Sequence, residues 1–303
     1  MMNRALMKKQ LRRGLNTVFG LEYKRHAEQW KQVFDVYSSD QATEEDVLVV
    51  GLGAGKIKPE GRGVDYDVGG ESWTKYYRHE TVALAFALTE EAQDDNLYMN
   101  LGAKYARAQA RSMQHTKEIK GANVLNNGFT GGAYAIGDAQ PLFSTAHPLW
   151  YGGNGANTLA TQADLAEASM EDMLTVIFTM VDDRNIPVSA QAVKLIVPPA
   201  LQFTAQRLLM TPGRVGTADN DINAIKSMGL VSGGFAVNQR LTDPNAWFIK
   251  TDVPDGFKHF VRRALRKRMQ EDFETGNLRY KADERYCFGV TDWRAGCGSS
   301  GLT

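Results

Sequence analysis

The stretch "PLFSTAHPL" (141–149) brings together a hydroxyl group and an imidazole, which a hydrolase can use as nucleophile and base. A hydrolase serine commonly lies on a sharp strand–turn–helix elbow of the form G-x-S-x-G. Here Pro141 and Pro148 flank Ser144 and His147, and no helix pattern lies between them. We interpret the stretch as a tight turn whose side chains satisfy nearby backbone groups, and keep a serine hydrolase as an alternative.

A second stretch, "VVGLGAGKI" (49–57), has glycines spaced as in nucleotide-binding loops. The dinucleotide fingerprint needs glycine where Lys56 stands, and the phosphate-binding loop needs serine or threonine where Ile57 stands. Pro59 and the glycines after it interrupt the helix whose N-terminus would bind the phosphate. We predict a flexible hinge at this position and no bound cofactor.

The residues that commonly bind metal are scattered along the chain. No two histidines have a metal-binding spacing such as H-x-x-x-H, and no pair of carboxylates stands out as a general acid and base. The two cysteines, Cys287 and Cys297, are too few for a disulfide framework or a zinc site. We expect Cys287 to be a buried thiol. This use of cysteine fits a reducing compartment. The sequence therefore predicts no catalytic, cofactor-binding or metal-binding residue, and a protein that is not an enzyme.

Charge is balanced over the whole chain but unevenly distributed. The chain has 35 Lys and Arg against 35 Asp and Glu, yet residues 1–31 carry eight basic residues and two acidic ones. A second basic run, "KHFVRRALRKR" (258–268), lacks the interleaved aromatic residues of a base-stacking surface. It could contact DNA phosphates non-specifically, or pair with acidic neighbours, or face solvent.

The bulk composition is that of an ordinary globular protein, with 43% hydrophobic and 23% charged residues. A length of 303 residues suits one or two domains. No apolar run is long enough to cross a membrane, and no hydrophobic region follows the basic N-terminus as in a signal peptide. We therefore predict no contact with a membrane.

The first third of the chain predicts elements that extend away from a core. Apolar residues at helical spacing predict a helix near residues 11–19, and a short strand follows at 47–50. Residues 64–68 alternate in polarity before Gly69-Gly70, which predicts a hairpin with a return strand over 73–88. Such a strand would reach roughly 50 Å, so the hairpin needs a further surface to pack on, such as a neighbouring subunit.

The remaining two thirds predict alternating helices and strands. A long helix is expected over 95–120, begun by Asp94–Asn96 and ended by Gly121. Residues 257–269 fit a helix or a half-exposed strand, and we prefer the strand. The other predicted elements are a helix at 164–181 with a capping box at 161–164, a strand at 193–197, a helix from Pro198-Pro199 through Leu209, and strands at 235–241, 246–251, 278–281 and 285–290.

Four stretches in this order resemble a known family. They are "PLFSTAHPL" followed by "NTL" (157–159), "LIVPPALQFTAQRLL" (195–209), "LTDPNAWFI" (241–249) and "NLRYKADERYCFGVTDWRAG" (277–296). Together they resemble the major capsid proteins of tailed bacteriophages with the Hong Kong 97-type fold, and most of all the Mu-like major head subunits. Residues 1–60 carry no motif of this family.

The resemblance implies an α+β capsid fold and a division of the chain. Residues 1–53 would be an N-terminal arm and 54–90 an extended β-hairpin loop. Residues 91–130 would begin a peripheral domain with a long spine helix, 131–252 would form an axial α/β domain, and 253–303 would return to the peripheral domain. The stretch "FSTAHP" would then be a structural landmark rather than an active site.

The resemblance also implies a function and partners. Copies of the chain would form hexamers and pentamers of an icosahedral shell around double-stranded DNA, contacted non-specifically. The shell would be assembled in the bacterial cytoplasm and found in the virion, with a portal protein as partner and a decoration protein left open. Because the predicted hairpin begins by residue 62, we expect a separate scaffolding protein rather than a fused leader. A nanocompartment shell of the same fold, holding an enzyme instead of a genome, is the second alternative.

Overall fold

The computed structural model describes residues 4–25, 27–89, 98–213, 222–272 and 274–302 of the chain. It has an α+β architecture, as predicted, in which helices pack on two four-stranded sheets. The helices are α1 (Arg4–Tyr23), α2 (Tyr98–Asn126), α3 (Glu167–Phe178), α4 (Gln202–Met210) and the short α5 (Ala224–Ser227).

The strands form two larger sheets and two strand pairs. The first sheet has the order β1-β10-β11-β4 and the second β12-β9-β7-β8, while β2 pairs with β3 and β5 with β6. The strands are β1 (Asp35–Ser38), β2 (Thr43–Val50), β3 (Gly70–Arg78), β4 (Glu80–Leu88), β5 (His147–Pro148), β6 (Asn154–Gly155), β7 (Ala192–Val197), β8 (Phe235–Val237), β9 (Trp247–Thr251), β10 (Phe257–Glu271), β11 (Leu278–Val290) and β12 (Gly296–Ser299).

The helices α1 and α2 pack together on the first sheet. Leu15 and Phe19 of α1 are four residues apart, so both point to the same side of the helix. They pack against α2 at its small residues Ala106 and Ala110, and against Tyr280 of β11. Small side chains on α2 permit the close approach of the helices. The predicted helix in the basic arm is confirmed.

The larger hydrophobic core surrounds the second sheet. It includes the fully buried Trp247 of β9 and Trp293, which follows β11, and it continues to Trp30 and Phe34 near the first sheet. Burial of such aromatic side chains contributes on the order of 2 kcal/mol each to folding. The predicted buried strand (β7) and the helix after Pro198-Pro199 are both confirmed.

The predicted hairpin is wrong in its pairing. β3 pairs with β2, with Val50 opposite Gly70, so Gly69-Gly70 is not the turn, and residues 51–69 form a long loop instead. Residues 64–68 are exposed, whereas β2 ends in the buried Val50. The burial of Val50 therefore favours the pairing of β3 with β2.

The predicted return strand over 73–88 is also wrong, because it divides at His79. β3 pairs with β2, while β4 pairs with β11 of the first sheet. His79 is buried between them, and its Nε2 lies 2.9 Å from Oγ of Ser39. The buried His79 thus marks the position where the chain passes from the β2–β3 pair to the first sheet.

The prediction that Gly121 ends the long helix is wrong, because α2 continues to Asn126. A Cβ atom on Gly121 would come within 3.0 Å of Cβ of Trp30, so the glycine permits close packing of the arm on the helix. The expected caps Asp94–Asn96 lie outside the described residues. The predicted capping box is wrong too: α3 begins at Glu167, and Ser169 Oγ accepts a hydrogen bond of 2.9 Å from the N–H of Ala166.

The C-terminal strands confirm one choice and correct another. Residues 257–271 form the strand β10, not a helix, and the two short strands predicted near the C-terminus are one continuous strand, β11. The sequence patterns missed β1 and β12, which are four residues each. β1 runs parallel to β10, and β12 pairs with β9, so both depend on partners far away in the sequence.

Candidate assembly surfaces

His147 in the stretch 141–149, here called the landmark turn, is enclosed by acceptor groups and a ring. Its Nδ1 lies 2.6 Å from Oδ2 of Asp138, and its Nε2 lies 3.2 Å from Oδ1 of Asn157. The imidazole is fully buried and stacks on Trp293, with 4.5 Å between ring centroids and 3° between planes. Both ring nitrogens are thus engaged in holding the turn.

Ser144 takes part in the same turn through different contacts. Its Oγ accepts a hydrogen bond of 3.2 Å from the N–H of Ala146, and its own N–H donates to Oδ1 of Asn157 at 2.9 Å. His147 meets Asp138 and Asn157 instead of the serine hydroxyl. The geometry is that of a hydrogen-bonded turn, and it does not assemble a nucleophile with its base.

Asn157 connects the landmark turn to the C-terminal residues, which the sequence analysis missed. Its Nδ2 donates to the carbonyl oxygens of Leu142, Trp293 and Gly296 at 2.7, 3.0 and 2.9 Å. A buried amide can satisfy several backbone groups at once, and here it joins segments about 140 residues apart. The only sequence signal was the position of "NTL" shortly after the turn.

Gln29 and Trp30, which follow α1, are bound to α2 by a buried carboxylate. Glu118 accepts hydrogen bonds from the backbone N–H groups of Gln29 and Trp30, at 2.9 and 3.1 Å. Burial raises the pKa of Glu118 despite these two bonds. On the preceding residue, Lys117 Nζ lies 2.8 Å from Oε2 of the buried Glu284. The segment after α1 is therefore fixed on the subunit.

Residues 51–69, here called the hairpin tip, expose an unusual amount of apolar surface. The tip connects β2 to β3 and contains no helix or strand. Ile57 and Tyr66 are 96% and 94% exposed. Several large apolar side chains exposed on one loop make the tip a candidate contact surface. Its large exposed apolar residues are Leu52, Ile57, Val64, Tyr66 and Val68.

The base of the hairpin tip is held on the subunit by Asp67 and Arg184. Asp67 Oδ2 accepts a hydrogen bond from the N–H of Gly53 at 2.6 Å and lies 2.8 Å from Nη1 of Arg184. The Gly53 N–H and the guanidinium lower the pKa of Asp67. Arg184 also donates to the carbonyl of Val68 and stacks over the ring of Tyr151 at 4.7 Å. The predicted hinge glycines thus lie in a loop that is closed at its base.

Most of the basic run on β10 is paired with carboxylates. Lys258 contacts Asp46 at 2.5 Å, and both Arg263 and Arg266 contact the buried Asp283, at 2.7 and 3.0 Å. Burial lowers the pKa of Lys258, but its hydrogen bonds to Asp46 and Asp255 outweigh burial and raise it overall. These contacts favour ion pairing over DNA contact for this run.

The described residues contain no group of three or more His, Cys, Asp and Glu side chains that could hold a metal ion. Cys287 and Cys297 are buried free thiols there, as expected for Cys287, and burial raises the pKa of Cys287 to about 12. Among the described helices, none is long and apolar enough to cross a membrane.

Comparison with protein families gives one match that spans most of the chain. Residues 71–298 match the family model described as phage capsid protein. That range begins in β3 and ends in β12, so it includes both four-stranded sheets except for β1. No curated protein matches this sequence.

Several solved structures share the fold at low identity. The virus-like particle from Pyrococcus furiosus matches with a TM-score of 0.56 and 11% identity, covering 95% of this chain and 98% of that one. The capsid of the empty GTA particle matches with a TM-score of 0.54 and 10% identity, and the match covers 89% of this chain and 88% of that one. The capsid of Myoviridae phage XM1 matches with a TM-score of 0.53 and 11% identity, and the match covers 91% of this chain and 92% of that one. The capsid fold expected from the sequence resemblance is confirmed.

Proposed function

This chain belongs to the phage capsid protein family, and we propose that its copies assemble into the icosahedral head shell enclosing the double-stranded DNA genome of a tailed bacteriophage. It is a capsid protein with a structural role, not an enzyme. The observation that carries the assignment is the family match over residues 71–298. The finer assignment to the Mu-like head subunits stays a prediction.

The hairpin tip supports a mechanism based on assembly. The subunit folds around its own two sheets, yet the tip keeps Ile57, Tyr66 and their apolar neighbours in water. Covering them with a second copy would stabilise the contact by about 25 cal/mol for each Å² buried. Weak contacts of this kind, repeated over many copies, can hold a closed shell together. The tip would then be completed only in the assembled particle.

We propose a domain division that follows the two sheets. α2, β10 and β11 would form the peripheral domain and the second sheet the axial domain. Residues 1–53 would be the arm and 54–90 the extended loop, and they add β1 and β4 to the first sheet. Within 253–303, β10 and β11 lie in the first sheet, but β12 pairs with β9 of the second. The last strand would therefore belong to the axial domain.

The proposed partners follow from shell assembly. Hexamers and pentamers of this chain would close the shell, a portal protein would occupy one vertex, and a separate scaffolding protein would guide assembly in the host cytoplasm. A decoration protein stays open.

A nanocompartment shell is the second candidate function, because the archaeal virus-like particle covers almost the whole chain and is itself covered almost completely. The two candidates differ in their contents. Negative-stain microscopy of the purified full chain should show closed shells in either case. In particles from infected cells, an ultraviolet absorbance spectrum dominated by nucleic acid supports the phage head. Shells that contain protein cargo and no DNA would overturn it, and a chain that never forms shells would overturn both.

A further inference from the structure

The helices α1 and α2 concentrate positive charge in a chain that is neutral overall. The chain has 35 basic and 35 acidic residues, but α1 contains five Lys and Arg and a single acid, Glu22. In α2, residues 98–117 contain four Lys and Arg and no acid. α1 packs directly on α2 through Leu15 and Phe19, and beside this contact Arg25, Arg107 and Arg111 lie in one region of the surface. Such a region attracts polyanions.

A groove between the two helices gathers three arginines. It has a volume of about 530 Å³ and is lined by Val18, Leu21, Glu22, Arg25, Arg107 and Arg111. All three arginines are exposed, Arg25 and Arg111 by 67% and 61% of their side chains. We call this the arginine groove.

Glu22 orients the guanidinium groups without neutralising the groove. Its Oε1 lies 3.2 Å from Nε of Arg111 and 3.6 Å from Nη1 of Arg25. Contact through Nε leaves the terminal nitrogens of Arg111 with four further N–H donors, in the planar arrangement that suits a phosphate. With three arginines and one glutamate, the groove keeps a net charge of two positive units.

The positive charge continues along the exposed face of α2. Lys104, Arg107 and Arg111 are exposed and follow one another at spacings of three and four residues. Side chains at these spacings lie on the same side of a helix, here over a length of about 10 Å. A row of cations of this length can follow a phosphate backbone. Most cations of β10 differ, because carboxylates such as Asp283 already hold them.

We propose that the arginine groove, with the adjoining face of α2, binds the phosphate backbone of double-stranded DNA without regard to base sequence. This inference rests on the proposed function, which supplies a packaged genome. The chemistry recognised is a row of phosphodiesters, each met by the fork of an arginine side chain. An acidic protein segment could also meet arginines, but the groove offers only Val18 and Leu21 as apolar anchors. DNA is therefore the favoured partner.

The test compares two double variants that remove equal charge. Binding of the full-length chain to a fluorescein-labelled 20-base-pair duplex is followed by fluorescence anisotropy over a range of salt concentrations. R107Q/R111Q should weaken binding about tenfold and lower the slope of log Kd against log salt by about two. The control R262Q/R279Q removes two arginines that pair with Asp40 and Asp272, and should change the affinity less than twofold.

The outcomes separate this inference from the proposed function. R107K/R111K keeps the charge and should bind the duplex nearly as well as the unchanged chain, and far-ultraviolet circular dichroism should show every variant folded. Equal losses in R107Q/R111Q and its control would overturn the inference, because only net charge would matter. Unchanged DNA affinity combined with failed shell assembly in R107Q/R111Q would overturn it in favour of a protein partner. Each of these results leaves shell formation by the unchanged chain, and so the proposed function, standing.

Discussion

The side chain of Asn157 connects two parts of the chain, residues 142–147 and 293–296. Its Oδ1 accepts from the N–H of Ser144 and lies 3.2 Å from Nε2 of His147, and its Nδ2 donates to the carbonyl oxygens of Leu142, Trp293 and Gly296. Its side chain is completely buried, so water cannot replace any of these bonds. The landmark turn consequently depends on this amide.

Replacing Asn157 with alanine should lower the free energy of unfolding by about 3 kcal/mol, because several buried backbone groups lose their partner. The measurement is denaturant unfolding of the subunit under conditions that suppress assembly. The control is N154A, at an exposed position nearby, which should cost less than about 0.5 kcal/mol. Equal losses for the two variants would contradict the role given to Asn157.

His259 should make the subunit less stable in acid. Burial lowers its pKa to about 4, with the charges of Lys117 and Lys31 acting in the same direction. The unfolded chain binds a proton near pH 6.5, whereas the folded chain binds it only near pH 4, so stability falls as the pH decreases through this window. At pH 4.5 the loss relative to pH 7 is about 2 kcal/mol for this one group.

The variant H259Q should therefore reduce the difference in unfolding free energy between pH 7 and pH 4.5 by about 2 kcal/mol. The control H115Q, on the exposed face of α2, should leave that difference unchanged. Both are measured by denaturant unfolding at the two pH values. A pH dependence that is the same in H259Q and in the unchanged chain would show that His259 does not contribute.

At the scale of elements, the sequence predicts those that carry their own signal. β7 is apolar except for Lys194, and the helix after it begins with two prolines, so both could be recognised locally. β1 is exposed at all four residues, and it is a strand because β10 pairs with it. The same holds for β2 and β3, whose pairing is decided by which residues become buried. Local alternation alone selected the wrong partner.

The hairpin tip should promote assembly through its apolar side chains. Replacing Ile57 and Tyr66 with serine should raise the subunit concentration needed for shell formation at least tenfold, because apolar contact with a neighbour is lost. The control K58Q/E60Q changes two exposed polar residues of the same tip without altering net charge. Light scattering during assembly gives the subunit concentration that each variant needs for shell formation. The same concentration for the two variants would contradict the role of the tip.

The contact between Asp67 and Arg184 should restrain the base of the tip. Removing it with Arg184→Ala should increase the rate of tryptic cleavage after Lys56 and Arg62 several-fold, because a loop released at its base opens more often. Arg184→Lys keeps the charge but loses the forked contact, and should give an intermediate rate. Mass spectrometry of the cleavage products gives the rates. Cleavage that is equally fast in all three proteins would show that the contact does not restrain the loop.

At the scale of the whole molecule, the sequence predicted the kind of fold better than its interior connections. The order of motifs from 141 to 296 indicated the capsid fold, which the structure and the family match confirm. The contacts that organise the landmark turn and the arm, through Asn157 and Glu118, were not predictable. A polar residue acquires such partners only when distant segments are brought together, and no spacing within one segment records this.

The most direct test of the whole account is hydrogen–deuterium exchange of residues 51–69 in free subunits and in closed shells. The account predicts that the backbone amides of the tip exchange rapidly in the free subunit and become protected on assembly, while those of β7 are protected in both states. Shells in which the tip exchanges as fast as it does in the free subunit would contradict the claim that neighbouring copies cover it.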